Sequence, residues 1–111
     1  MGQILHPPKQ DRAILEIPKW VRPHPGWVKC NVDAAFLAVN GSGATGGVLR
    51  DDEGRFLEAQ ATAYNHCMDA LMVEALACRD GLVMVERHGV NRLCLETDCL
   101  ELVGLWENRE N

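Results

Sequence analysis

Three acidic residues stand where the surrounding sequence calls for apolar ones. Asp33 lies between Val32 and Ala34-Ala35-Phe36, inside a run that alternates like a strand. Glu74 interrupts Ala70-Leu71-Met72-Val73 and Ala75-Leu76-Ala77-Cys78, so its helical neighbours are Ala70, Leu71, Ala77 and Cys78. Asp98 closes a strand-like segment, at the C-terminal end where parallel α/β sheets place ligands. A buried carboxylate is costly unless it is paired or bound to metal. No basic residue stands within four positions of Asp33 on its C-terminal side, or of Glu74 on its N-terminal side. Brought together from two strands and a helix, the three acids would coordinate a hard divalent cation such as Mg²⁺ through oxygen. Each has a plainer alternative: Asp33 ends a strand early, Glu74 faces solvent, and Asp98 caps a helix beginning at Cys99.

The elements that must carry these residues follow from hydrophobic period. Val28, Cys30, Val32 and Ala34 alternate, which predicts a first strand from Trp27 onward. Asn40-Gly41 is a hairpin turn signal, Gly46–Arg50 reads as a second strand, and Phe56 to Tyr64 as a third after the turn Asp51-Asp52-Glu53-Gly54. The period then lengthens: Leu71, Ala75, Cys78, Leu82 and Val85 form a helical stripe over Met68–His88, with Gly89 as its stop. Arg92–Asp98 alternates again, and Cys99–Glu107 is helical. The expected architecture is α/β: a three-stranded antiparallel meander, then helix, strand and helix (β-β-β-α-β-α). The helical crossover makes the fourth strand parallel to a meander strand.

All five prolines fall in residues 1–26, which read as an extended, basic arm or linker, with the domain proper at 27–111. Trp20 and Trp27 bracket the end of the arm and are expected to pin it to the body. With 111 residues the chain has room for one domain. No apolar run approaches the roughly 20 residues of a spanning helix, and no secretory signal is legible, so a membrane partner is not expected. Cys30, Cys67, Cys78, Cys94 and Cys99 are odd in number and lack Cys-x-x-Cys spacing. They read as structural thiols of an intracellular, reducing compartment, nuclear or cytoplasmic, rather than as a disulfide framework or a zinc site. The formal net charge of −5 divides into +3 over residues 1–30 and −8 over the rest. An acidic body suits metal-binding carboxylates and is a poor footprint for a polyanion, for which the basic arm is the compensating feature.

Two motifs are set aside. Gly41-Ser42-Gly43-Ala44-Thr45-Gly46 matches a dinucleotide fingerprint, but it leads into a strand where that motif must open a helix, so no dinucleotide cofactor is expected. Asn40-Gly41-Ser42 is a formal glycosylation sequon that reads as a hairpin tip.

Four blocks in this order resemble the plant ribonuclease H-like domain, of the ribonuclease H type-1 family, as found in non-LTR retroelement reverse transcriptases. Gly26–Phe36 resembles its opening strand and Gly46–Asp51 with Gly54 its second strand and turn. Val73–Ala77 with Gly81-Leu82 is similar to its first helix, and Leu95–Val103 to its fourth strand and next helix. The resemblance covers about residues 20–105. It implies an endoribonuclease that hydrolyses the RNA strand of RNA–DNA hybrids with Mg²⁺ (or Mn²⁺) by a two-metal mechanism. Asp33, Glu74 and Asp98 then match the first three of the family's four acids as catalytic and metal-binding residues. RNA would be distinguished by contacts to 2′-hydroxyls. Ala34 stands where many relatives have a glycine whose backbone approaches the substrate. The family continues with a fifth strand and a last helix bearing a fourth acid, and the sequence reaches Asn111 before either. The resemblance therefore implies a C-terminally incomplete domain, within a possible larger host polypeptide. The alternative is a catalytically inactive nucleic-acid-binding or interaction module, or a fragment of a retroelement-derived polyprotein.

Overall fold

The computed structural model describes residues 12–16 and 24–108. Seven elements follow one another in the chain. They are β1 (Arg12–Glu16), β2 (Val28–Leu37), β3 (Ser42–Arg50), β4 (Phe56–Tyr64), α1 (Ala70–Arg87), β5 (Arg92–Glu96) and α2 (Leu100–Glu107). The strands form one sheet in the order β1-β5-β2-β3-β4. The meander β2-β3-β4 is antiparallel, and β5 inserts beside β2 in parallel register. The β-β-β-α-β-α order read from residue 28 onward is therefore the observed one.

Local chemistry accounts for the boundaries. At the first hairpin, Asn40 Oδ1 accepts from the Ser42 backbone N–H at 3.0 Å and from the Ser42 hydroxyl at 2.7 Å, an Asx turn in place of continued pairing. At the second, Asp51 Oδ1 accepts from the backbone N–H groups of Glu53 and Arg55. Helix α1 starts at Asp69, whose carboxylate accepts from Met72 N at 2.8 Å and so satisfies one of the free N–H groups of the first turn. It ends at Gly89, whose φ of +64° lies in the left-handed region that stops helices at low steric cost. The last glycine of the dinucleotide-like stretch, Gly46, lies inside β3 opposite Asp33 and opens no helix.

Helix α1 rests on β2 and β3, and Gly81 is what allows the approach: a Cβ there would come within 2.7 Å of Val32 Cγ1 and 3.1 Å of Cys30 Sγ. The core joins Cys30 and Leu49 from the sheet, Met84 and Val85 from α1, and Leu102 and Trp106 from α2. Cys30, Cys67, Cys78 and Cys94 are buried, as expected of structural thiols, and Cys99 is half-buried. Burial pushes the thiols of Cys30 and Cys78 up to about 12. Among the described residues no helix is long and apolar enough to cross a membrane.

Two features differ from expectation. Residues 12–16, placed in the arm by their proline-bounded setting, form a strand that pairs in parallel with the whole of β5, Arg12 opposite Arg92 through Glu16 opposite Glu96. The sheet thus reaches back past the boundary at residue 27, because β5 would otherwise leave its outer N–H and C=O groups unpaired. In α1 the buried positions include Asp80, which the apolar stripe leaves out. Its carboxylate is accommodated by hydroxyl donors from the sheet, Thr45 Oγ1 at 2.7 Å and the Tyr64 hydroxyl at 2.6 Å. Trp27 is half-buried at the entry to β2, whereas Trp20 lies outside the described residues.

Candidate metal centre

Three elements deliver the three acids to one point. Asp33 lies in β2 opposite Gly46 of β3. Glu74 lies in the second turn of α1, on the helix that Gly81 brings down onto β2. Asp98 follows the end of β5, in the short stretch before α2. Pairing between β2 and β5 runs from Val28–Leu93 to Asn31–Glu96 and stops there. Asp33 and Asp98 each lie two residues beyond that last pair, Asp33 in the middle of β2 and Asp98 just past the carboxyl end of β5, the usual ligand position of such sheets.

One carboxylate oxygen from each of Asp33, Glu74 and Asp98 lies within 4.8 Å of the others. Asp33 and Asp98 are exposed and Glu74 is half-buried. Glu74 Oε2 is buried and has no hydrogen-bond partner among the described residues. Burial, followed by the negative charges of Asp98 and Asp33, raises the Glu74 carboxyl above its ordinary range, and a hydrogen bond from the Thr97 hydroxyl partly offsets this. Three converging carboxylates, one with a buried and unsatisfied oxygen, form an all-oxygen donor set that fits a hard divalent cation. The alternatives do not describe these residues: β2 continues through Asp33 to Leu37, Glu74 turns toward the other two acids, and the N-cap of α2 is Cys99 rather than Asp98. Ala34 sits beside the cluster, half-buried, and its backbone N–H donates to Asp33 Oδ1 at 2.9 Å.

Sequence reasoning missed the residues that hold this site together. Thr97, fully buried, accepts from the Cys99 backbone N–H at 3.2 Å, fixing the turn between β5 and α2. Glu96 is buried and makes an ion pair with Lys29 Nζ at 3.2 Å, while Asn31 Nδ2 donates to its other oxygen at 2.7 Å. The signal for this group was present as a polar alternation, Lys29, Asn31, Asp33, along β2.

Comparison with known proteins follows the same outline. The model of the family described as "Reverse transcriptase-like" matches residues 31–111. An Arabidopsis thaliana protein named "Putative ribonuclease H protein" is 35% identical over 85 residues, which cover 77% of this chain and 14% of that protein. The chain thus spans about one seventh of the length of that relative. No solved structure gives a significant match.

Proposed function

The chain belongs to the reverse transcriptase-like family and has its ribonuclease H-like α/β fold, and from that premise we propose that it is a Mg²⁺-dependent endoribonuclease acting on the RNA strand of RNA–DNA hybrids. The observation that carries this reading is the convergence of Asp33, Glu74 and Asp98 within 4.8 Å, with Glu74 Oε2 buried and unsatisfied. Asp33, Glu74 and Asp98 are the residues that would hold the metal. When bound, Mg²⁺ (or Mn²⁺) supplies Lewis-acid stabilisation of the charge that develops on phosphate as a phosphodiester is hydrolysed, by a pair of ions in the two-metal form of the reaction. The β2–β5 pairing sets the spacing of Asp33 from Asp98. The Ala34 backbone, beside Asp33, is the candidate contact to the substrate strand. The match to a small part of a much longer relative supports a setting within a larger polypeptide. The buried thiols support a reducing compartment.

A second reading, hybrid binding without turnover, rests on the same fold and the same three carboxylates. The deciding experiment incubates the chain with an end-labelled RNA–DNA duplex, duplex RNA and single strands, with Mg²⁺ and with EDTA. Cleavage of the hybrid alone, in Mg²⁺ alone, abolished by Asp98→Asn, is the expected result. Retention of the hybrid with no cleavage would establish the binding module instead, and neither binding nor cleavage would overturn both readings.

A further inference from the structure

The metal cluster lies where two parallel strands part, and something must set how far they part. The last backbone register pair between β2 and β5 is Asn31–Glu96. The same two residues are also joined by their side chains, Asn31 Nδ2 donating to Glu96 Oε1 at 2.7 Å. The second Glu96 oxygen faces Lys29 Nζ at 3.2 Å, and both side chains of this ion pair are more than nine-tenths buried. Side chains alternate along a strand, so Lys29 and Asn31 project on the side of β2 opposite Cys30 and Val32, which meet α1. A polar clamp of three residues therefore closes the β2–β5 seam two residues before Asp33 and Asp98.

A buried ion pair is a poor source of stability. Desolvation of the two charges offsets most of their attraction, and apolar residues of similar volume often serve a fold as well or better. What a buried, directional polar cluster supplies is a unique register and spacing. Here that spacing falls on the two strands that position Asp33 and Asp98. Partners that orient ligands from outside the coordination sphere commonly change metal affinity by about 10- to 100-fold when removed.

We infer that Asn31 and Glu96, balanced by Lys29, are positioning residues that hold Asp33 and Asp98 at metal-binding distance. This rests on the metal reading of the cluster above. The test uses the full 111-residue chain and Mn²⁺ as the probe, with affinity measured by calorimetry and folding by circular dichroism of the metal-free protein. Asn31→Leu removes the hydrogen bond at similar volume. It is expected to weaken Mn²⁺ binding by about tenfold or more, with native circular dichroism retained at the temperature of the titration. Asn31→Gln, which keeps an amide donor, is expected to recover part of the loss, a rescue that a purely structural role does not require. If the leucine variant does not fold, Asn31→Ser takes its place, shortening the side chain out of reach of Glu96. Wild-type affinity in a folded Asn31→Leu or Asn31→Ser chain would overturn the positioning role and leave the metal site standing. Failure of the wild-type chain to bind Mn²⁺ would overturn both.

Discussion

Thr45 Oγ1 donates to Asp80 Oδ2 at 2.7 Å, tying β3, the strand paired with Asp33, to the helix that carries Glu74. The Tyr64 hydroxyl donates to the same carboxylate from the end of β4, and Arg79 lies over the Tyr64 ring at 5.9 Å, so one buried acid joins two strands and α1. These bonds fix the roll of α1 about its axis, and with it the direction in which Glu74 points. Asp80→Ala leaves the buried Thr45 hydroxyl without its acceptor, and a loss of about 2–4 kcal/mol is expected. Asp80→Asn, still able to accept one hydroxyl, should lose less. Urea unfolding of both variants measures this, and equal losses would show that the charge, not the hydrogen-bond count, is what matters.

Glu74→Gln separates the cost of the acidic cluster from its use. Three carboxylates within 4.8 Å repel one another without a cation. Neutralising the half-buried one should therefore stabilise metal-free protein, by on the order of 1 kcal/mol after solvent screening. Melting in EDTA should rise accordingly, by roughly 4–8 °C. Added Mg²⁺ should raise the melting temperature of the wild-type chain, since a ligand of the folded state stabilises it by mass action, and leave the glutamine variant nearly unmoved. A glutamine variant that melts lower in EDTA would show that the cluster carries no repulsion to relieve.

Glu74 was legible because it breaks an apolar helical run, Asp33 because Val32 and Ala34-Ala35-Phe36 flank it directly, and Asp98 by its place at a strand's end, local signals that need no knowledge of partners. The clamp around the three acids was not legible. Lys29 and Asn31 alternate with Cys30 and Val32 in the manner of a strand with one wet side, yet Lys29 is buried because Glu96, from β5, supplies its counter-charge. Arg79-Asp80 likewise reads as a solvated pair on a helix, until Thr45 and Tyr64 arrive from distant strands as hydroxyl donors. β1 was hidden for the same reason. Five residues between prolines carry little periodicity, and their reason to be a strand is the open edge of β5, far along the chain. Local pattern revealed which elements form and where charge is out of place. Cross-strand complementarity decided which polar groups are buried.

The surface clip between β4 and the end of α1 makes a prediction about acid. Glu58 Oε1 is hydrogen-bonded to His88 Nε2 at 2.6 Å and Oε2 to Arg87 at 2.8 Å. The His88 hydrogen bond first, then the charge of Arg87, holds the Glu58 carboxyl below its ordinary value of 4.5. Between the lowered value and 4.5 the unfolded chain binds more protons at this position than the folded one, so stability rises with pH there. The contribution is complete above 4.5 and is lost as pH falls through the lowered value. Glu58→Gln should therefore flatten the stability profile on the acid side. Urea midpoints at about pH 6 and about pH 3.5 should differ less in the variant than in the wild type. An unchanged difference would mean that the clip does not persist in solution.

The same substitution in the two helices should have opposite signs. Gly81 faces the sheet, where a Cβ would meet Val32 Cγ1 at 2.7 Å and Cys30 Sγ at 3.1 Å. Val32 is β-branched and buried, with little rotamer freedom to yield. Gly81→Ala must then lift α1 from β2 or strain Val32. An overpacking cost of about 1–3 kcal/mol is only partly offset by the roughly 1 kcal/mol that alanine gains over glycine in a helix. Lifting α1 would also draw Glu74 away from Asp33, so Mg²⁺ should protect this variant less against heat than it protects the wild type. Gly104, in the middle of α2, has nothing within 4 Å of the position its Cβ would take. Gly104→Ala keeps the helical gain without the clash and should raise stability by about 0.5–1 kcal/mol. Equilibrium unfolding of the two single variants checks both signs at once. A Gly81→Ala chain as stable as the wild type would mean that the α1–β2 contact is looser than the 2.7 Å approach requires.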